Sequence, residues 1–245
     1  STHNRLLRSI RSLGVSITAI SPGLFKFPFP DSEPVSSNLG WMDAGNHNQW
    51  DASRAMIENH LHDMLPRALD FAQEVGASNL IVFGFGRGSG SGDAAPNGVV
   101  EALSEAVEAA ALCGVDLLVE NEEGHWPNTG ERTAELVRRV NNPAFAVNWD
   151  PANALIDGDV PYPQGYAATK PFIRNVHFKD VHCFANGSWE IVEDGGVDWR
   201  GQIAALVDDG YPGAIAIEPH LRPAVGSTKR ALARLRNLID STKTN

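Results

Sequence analysis

The chain has 245 residues and a formal net charge of −10, and 42% of its residues are hydrophobic. This length suffices for a large buried core, and we expect one domain over residues 1–245. The acidic balance disfavours a nucleic-acid partner, because phosphate binding needs a basic face. No apolar run approaches the ~20 residues that cross a bilayer, so no membrane partner is expected. Cys113 and Cys183 give no disulfide framework, which favours a reducing, cytoplasmic location.

One pattern recurs along the chain: an amphipathic helix stops at a small or polar residue, and a short apolar strand follows. The predicted helical segments are 5–13, 64–75, 99–113, 131–140, 167–173, 199–209 and 229–239. The predicted strands are 15–20, 79–84, 115–120, 145–150, 175–180 and 214–218. Residues 22–50 predict a long loop over the mouth of the fold, since they are rich in Pro, Gly, Ser and Asn. Asn186 and Gly187 predict a hairpin turn.

This order of helix, stop signal and buried strand occurs six times in succession. Such a repeat predicts a parallel α/β fold. The positions of four polar residues favour a closed barrel over a doubly wound sheet. Glu120, Asp150, His177 and Glu218 each end a different strand. Such strand ends converge in a barrel, whereas in an open sheet they spread along one edge at ~4.8 Å per strand. We therefore predict a (β/α)8 TIM barrel.

The number of predicted strands falls short of the eight that a TIM barrel contains. We expect this chain to lack the first one or two βα units of the barrel. An N-terminal truncation of about one and a half units is the favoured explanation. The alternative is that a partner chain completes the sheet.

The four strand-end residues have the chemistry of metal ligands. One imidazole and three carboxylates suit one divalent ion of intermediate hardness, such as Mn²⁺, Mg²⁺, Co²⁺ or Zn²⁺. A carbonyl and an adjacent hydroxyl of a substrate can occupy the remaining coordination positions, which acidifies the neighbouring C–H bond. Glu120 and Glu218 come from strands far apart in sequence, so they can face each other across the substrate. Such a pair can move a proton between carbons through an enediolate.

Four motifs at these strand ends resemble those of one known family. They are residues 119–122 (VENE), 148–153 (NWDPAN), 176–180 (VHFKD) and 217–220 (IEPH). The resemblance is to the xylose-isomerase-like TIM barrels, the sugar phosphate isomerases and epimerases, and it extends over residues 14–239. It implies that Glu120, Asp150, His177 and Glu218 are the metal ligands, and that Glu120 and Glu218 are the catalytic acid and base.

Two positions depart from the pattern of the sugar epimerases in that family. Asn153 stands where a histidine is frequent, and Cys183 stands where an arginine is frequent. The resemblance therefore covers the metal site but does not extend to the ketohexose epimerase subtype.

Further polar residues near the strand ends are candidate contacts to the substrate: Lys179, Asn121, Asn153, His220, Arg87 and His125. Each has a structural alternative. Lys179 can instead form an ion pair with Asp180, the asparagines can cap loops, and the histidines can be structural. Arg87 lies in the glycine-rich stretch 84–92, which lacks the spacing of a nucleotide-binding motif and is interpreted as a flexible βα loop.

The predicted function is metal-dependent isomerisation or epimerisation of a small polyhydroxylated substrate, a sugar or sugar derivative. The closest alternative is a lyase or dehydratase that acts on an inosose-like or keto-sugar substrate. An apurinic-site endonuclease would need several metal ions and a basic groove, and a non-catalytic binding protein would not need the intact ligand set. A homo-oligomer is left open, because the aromatic residues Phe25, Phe27, Phe29 and Trp41 can either cap the pocket or form an oligomer contact.

Overall fold

The computed structural model of the protein describes residues 2–29, 54–87, 92, 94–218 and 220–242. Its centre is a parallel sheet of five strands, which are, in spatial order, β1 (Asn79–Phe83), β2 (Asp116–Glu120), β3 (Phe145–Trp149), β4 (Ile173–Phe178) and β7 (Ala214–Ile217). These strands form half of a (β/α)8 barrel, which confirms the predicted fold class. β5 (Asp180–Cys183) and β6 (Trp189–Val192) form a separate antiparallel hairpin.

Helices connect the strands and cover the outside of the sheet. They are α1 (Thr2–Ser12), α2 (Arg54–Asn59), α3 (Leu65–Val75), α4 (Asn97–Leu112), α5 (Gly130–Val140), α6 (Pro151–Ile156), α7 (Tyr166–Thr169), α8 (Trp199–Asp208) and α9 (Ala224–Thr242). A π-helical turn, His60–Met64, joins α2 to α3, so this helical region begins earlier than predicted. Within the described part of the chain, no helix is long and apolar enough to cross a membrane.

Residues 15–20, predicted as a strand, do not form a regular one, and this prediction was wrong. Ile20 alone bridges to Leu80 of β1, through hydrogen bonds with the backbone of Asn79 and Ile81 at 3.1 and 2.8 Å. The segment lies at the edge of the sheet, where Val15 is 57% exposed. Since an edge segment pairs on one side only, the β-branched pattern alone does not hold it in a continuous ladder.

The hairpin of β5 and β6 stands at the carboxyl end of the sheet, directly after β4. Gly187 occupies its turn with a φ of 83°, a left-handed conformation that glycine adopts without strain. The predicted hairpin turn is therefore confirmed. Asp180, the first residue of β5, accepts hydrogen bonds from the backbone N–H groups of Val181 and Val197. It also forms an ion pair with Arg234, and these contacts fix the base of the hairpin.

Two of the four aromatic residues assigned to a capping or oligomer role are part of the core. Phe25 is fully buried and Phe27 is 6% exposed, and both rings pack against His60 and Phe85. Neither ring is therefore available to a partner chain. Trp41 and the predicted loop from residue 30 to residue 50 lie outside the described residues.

The start of α5 depends on a close approach between two glycines. A Cβ atom at Gly130 would lie 2.4 Å from the Cα atom of Gly165, which is a backbone atom and cannot rotate away. We expect Gly130→Ala to lower the free energy of unfolding by roughly 1–3 kcal/mol, as overpacking does, measured by urea denaturation. Gly226→Ala is the control, because its Cβ would meet the flexible tip of Arg230 at 3.3 Å and a side-chain carbon of Pro223 at an ordinary 3.6 Å. Equal losses of stability in the two variants would contradict the prediction.

Candidate metal centre

Four ionisable side chains meet at the carboxyl ends of the strands. Glu120 is the last residue of β2, Asp150 directly follows β3, His177 lies in β4, and Glu218 directly follows β7. One oxygen or nitrogen atom from each residue lies within 4.8 Å of those of the other three. In a flat sheet β2 and β7 would be roughly 14 Å apart, three strand spacings. The curvature of the sheet therefore brings the four side chains together, as the sequence predicted for a barrel.

His177 lies at the centre of the cluster. Its Nδ1 atom is 3.2 Å from Oε1 of Glu120, 3.3 Å from Oε2 of Glu218 and 3.9 Å from Oδ2 of Asp150. The side chains of Glu120 and Asp150 are almost inaccessible, whereas that of Glu218 is 33% exposed. Glu218 is thus the carboxylate of the cluster that faces the open mouth.

Asp150 is held in place from two directions. Its Oδ1 atom accepts hydrogen bonds from the backbone N–H groups of Ala152 and Asn153, at 2.9 and 3.0 Å, and so caps the start of α6. The side chain of Asn121 accepts a hydrogen bond from the Asp150 N–H and donates one to the Asp150 carbonyl oxygen, both at 2.7 Å. Asn121, a predicted substrate contact, therefore uses both amide atoms to position Asp150.

Two asparagines that the sequence analysis did not select support Glu120. Asn148 donates a hydrogen bond to Oε2 of Glu120 at 2.9 Å, and Asn175 donates one to Oδ1 of Asn148 at 2.6 Å. Both lie on neighbouring strands, β3 and β4, and are buried. The signal that would have found them is an asparagine inside an otherwise apolar strand, since a buried amide needs a partner.

Lys179 belongs to the cluster as well. Its Nζ atom is 2.8 Å from Oδ2 of Asp150 and 3.1 Å from Oε2 of Glu218. The alternative ion pair with Asp180 is not formed; Asp180 instead pairs with Arg234 at 2.9 Å. The ammonium group therefore lies between two carboxylates of the cluster.

Burial and charge act in opposite directions on the pKa values in this cluster. Burial raises the pKa of Glu120 and of Asp150. Burial alone would lower the pKa of His177 and Lys179, but the adjacent carboxylates outweigh it and raise both. For Glu218, burial is outweighed by hydrogen bonds from the histidines and by Lys179, so its pKa is lowered. Positive charge next to the carboxylates thus offsets part of the cost of burying them.

The donor set fits a divalent metal ion. Three carboxylates and one imidazole offer only oxygen and nitrogen, the donors suited to magnesium, manganese, cobalt or zinc. Within the described residues, Oδ2 of Asp150 is buried, and the charged groups next to it are Lys179 at 2.8 Å and His177 at 3.9 Å. A cation here would supply positive charge that otherwise comes from His177 and Lys179.

Two further predicted substrate contacts lie beside the cluster. Nε2 of His220 is 3.3 Å from Oε1 of Glu218, and the His220 side chain is 53% exposed. Nδ2 of Asn153 is 3.5 Å from Oε1 of Glu120. Both groups therefore point at the carboxylates that the sequence analysis selected as acid and base.

The remaining two predicted contacts lie in the loops that follow β1 and β2. Arg87 donates a hydrogen bond to the carbonyl oxygen of Gly92 at 3.1 Å, and its guanidinium lies over the ring of Trp126. His125 is fully buried, with Nδ1 2.9 Å from the carbonyl oxygen of Glu123, and burial lowers its pKa. These contacts all lie within the two loops.

Comparison with protein families identifies one match. A family model described as xylose isomerase-like TIM barrel matches residues 2–238. A comparison with curated proteins found no match.

Several solved structures share the fold. A structure of L-ribulose 3-epimerase aligns with a TM-score of 0.69 at 17% identity, covering 98% of this chain and 80% of that one. The probable 3-DHS dehydratase AsbF of Bacillus anthracis aligns with a TM-score of 0.68 at 18% identity, covering 97% and 81%. The IOLI protein, solved with a zinc atom, aligns with a TM-score of 0.69 at 16% identity, covering 96% and 82%. At these identities the likeness shows the fold alone.

Glu123 connects the loop after β2 to the hairpin. Its Oε1 atom accepts a hydrogen bond from Nε1 of Trp189 in β6, at 3.2 Å. Burial raises the pKa of Glu123 to about 7, and the nearby carboxylates of Asp157 and Glu122 add to the rise. The folded protein therefore binds this proton more tightly than the unfolded chain does.

This difference predicts a pH-dependent stability. The contribution of protonated Glu123 is fully present below its ordinary pKa of 4.5 and is lost as the pH rises through about 7. Glu123→Gln mimics the protonated form at every pH. The difference between its melting temperature and that of the wild type should therefore increase from pH 5 to pH 8, by roughly 2–4 °C after allowing for solvent screening. Differential scanning calorimetry measures this shift. Glu131→Gln, at an exposed position of α5, is the control, and the same pH dependence in all three proteins would contradict the prediction.

Proposed function

We propose that this chain, which belongs to the xylose isomerase-like TIM barrel family, is a metal-dependent isomerase or epimerase of a sugar or sugar derivative. The observation that carries the proposal is the placement of Glu120 and Glu218. Their oxygens lie 3.2 and 3.3 Å from the same Nδ1 atom of His177, on strands at different positions of the curved sheet. Two carboxylates at one reactive centre are what a proton transfer between carbon atoms requires.

In this proposal Glu120, Asp150, His177 and Glu218 hold one divalent ion. The ion would polarise the carbonyl of the substrate and make the adjacent C–H bond more acidic. Asn121 and the start of α6 keep Asp150 oriented, while Asn148 keeps Glu120 oriented. The ligand side chains are thus held in place by hydrogen bonds from neighbouring residues.

The two glutamates have different surroundings and so different proposed roles. Glu218 is 33% exposed at the mouth, so we assign it the removal of the proton from the carbon next to the carbonyl. The electron pair of that C–H bond then forms the enediolate. Glu120, which is buried and starts protonated, then delivers its proton. In an epimerase the proton goes to the opposite face of the same carbon. In an isomerase it goes to the neighbouring carbon, whose hydroxyl gives its own proton to the former carbonyl oxygen. Lys179, 3.1 Å from Glu218, can donate to the enediolate oxygen.

A dehydratase is the second candidate. His220 lies 3.3 Å from Glu218 and places a second proton donor beside the proposed base. Loss of water needs such a donor, because the leaving hydroxyl must be protonated. An endonuclease is less consistent with the site, since the described residues contain a single group of side chains in metal-binding geometry.

The metal site is tested by Asp150→Ala. We expect the wild-type protein to bind about one divalent ion per chain and the variant to bind it at least roughly 10-fold more weakly, because a ligand oxygen is lost. Elemental analysis and calorimetric titration with Mn²⁺ measure this. Asp116→Ala makes the same change at the opposite end of β2 and should leave binding intact. Unchanged affinity in Asp150→Ala would rule out the assigned site.

The proton transfer is tested by Glu218→Gln. This variant keeps the size and one donor oxygen of the side chain but removes the base, so turnover should fall by a factor on the order of 10²–10⁴ while metal binding is largely retained. The assay is deuterium exchange from solvent into ketoses, aldoses and inosose-like ketones. Formation of an isomeric product indicates an isomerase or epimerase, and loss of water indicates the dehydratase.

Glu193→Gln, in the loop that follows β6, is the matched control for this assay and should exchange like the wild type. If the metal-loaded wild-type protein exchanges no carbon-bound hydrogen in any of these compounds, the proposed function is wrong.

A further inference from the structure

A second polar pair lies at the same face of the barrel as the metal-ligand cluster. Nζ of Lys26 is 3.0 Å from Oε1 of Glu122, and the ammonium group lies 4.3 Å from the centre of the Phe83 ring. The side chain of Glu122 is 9% exposed and that of Lys26 is 30% exposed. Phe83 ends β1 and Glu122 follows the end of β2, so the pair opens onto the mouth.

One amide group separates this pair from the reactive centre. Nδ2 of Asn153 is 3.3 Å from Oε2 of Glu122 and 3.5 Å from Oε1 of Glu120. A substrate whose carbonyl end lies between Glu120 and Glu218 can therefore extend past Asn153 and reach Lys26 and Glu122 with its other end.

The chemistry of the pair favours a neutral hydroxyl over an anion. A hydroxyl can donate to the Glu122 carboxylate and accept from the Lys26 ammonium at the same time. A phosphate would have to displace Glu122 from Lys26 and would then face the carboxylates of Glu120 and Glu122. Repulsion between like charges in a partly buried site makes that arrangement costly.

We propose that Lys26 and Glu122 bind a hydroxyl group at the end of the substrate remote from the carbonyl, and that they select an unphosphorylated polyol chain. This inference rests on the proposed function, because it takes the carbonyl end to lie at Glu120 and Glu218. Asn153, between the two sites, binds a hydroxyl in the middle of the chain.

Substrate length provides the test. Lys26→Met should lower kcat/KM for deuterium exchange into dihydroxyacetone much less than for a long ketose, because a three-carbon ketose is too short to reach the pair. For the ketohexoses fructose, psicose, tagatose and sorbose, kcat/KM should fall by roughly 10- to 100-fold, mainly through KM, which is the effect of losing a charge-assisted hydrogen bond. Lys26→Arg should retain most of the activity, and Lys229→Met, at an exposed position of α9, should behave as wild type.

A binding measurement tests the same pair without turnover. Xylitol lacks a carbonyl, and its calorimetric affinity for wild-type protein should exceed that of Lys26→Met and of Glu122→Gln by a similar factor. Ethylene glycol, which cannot span the two sites, should bind equally to all three proteins. Circular dichroism and the melting temperature establish that the variants are folded.

The possible failures are distinguishable. If the wild type exchanges none of the ketoses, aldoses and inosose-like ketones, the proposed function is wrong, and the xylitol titration still decides on the pair. If the wild type exchanges both short and long ketoses but Lys26→Met affects them equally or not at all, the subsite is wrong. A higher kcat/KM of the wild type for fructose 6-phosphate than for fructose would overturn the selection of an unphosphorylated end.

Discussion

The constraint on which this site depends is the burial of carboxylates next to one another. Glu120 and Asp150 are almost fully removed from water, and Glu218 lies beside them. Such groups are stable only when positive charge is placed between them, because desolvation and mutual repulsion both oppose ionisation. His177 and Lys179 provide this charge, and the same arrangement makes the cluster attractive to a divalent cation. The electrostatic balance of the cluster and its suitability for a divalent cation thus follow from one feature of the fold.

The surrounding residues hold the side chains of this cluster in fixed orientations. Amides perform most of the positioning, since an amide can donate and accept without adding charge to a crowded electrostatic site. Asn121 orients Asp150, while Asn175 orients Asn148, which in turn orients Glu120. Preorganised ligands of this kind need little rearrangement when a cation or a substrate binds.

The mouth of the barrel is divided into regions with different chemistry. The region around Glu218 combines exposure with charge and, in the proposed mechanism, receives the reacting carbon atoms. The region around Lys26 and Glu122 is a neutral pair and suits a hydroxyl. The hairpin of β5 and β6, joined to the loop after β2 through Glu123 and Trp189, closes the side of the mouth beyond β4. A small polyhydroxylated molecule matches this division better than a highly charged one.

The sequence by itself determined the parallel α/β fold and the four residues of the cluster. This was possible because the carboxyl ends of parallel strands lie at one edge of the sheet, so polar residues that end successive apolar strands must be near one another. Only the tertiary structure decided that residues 15–20 pair through Ile20 alone, that Lys179 contacts Asp150 rather than its neighbour Asp180, and that Lys26 meets Glu122. Strand pairing at an edge and ion pairs between distant segments depend on which backbone runs alongside which, and hydrophobic periodicity carries no information about that.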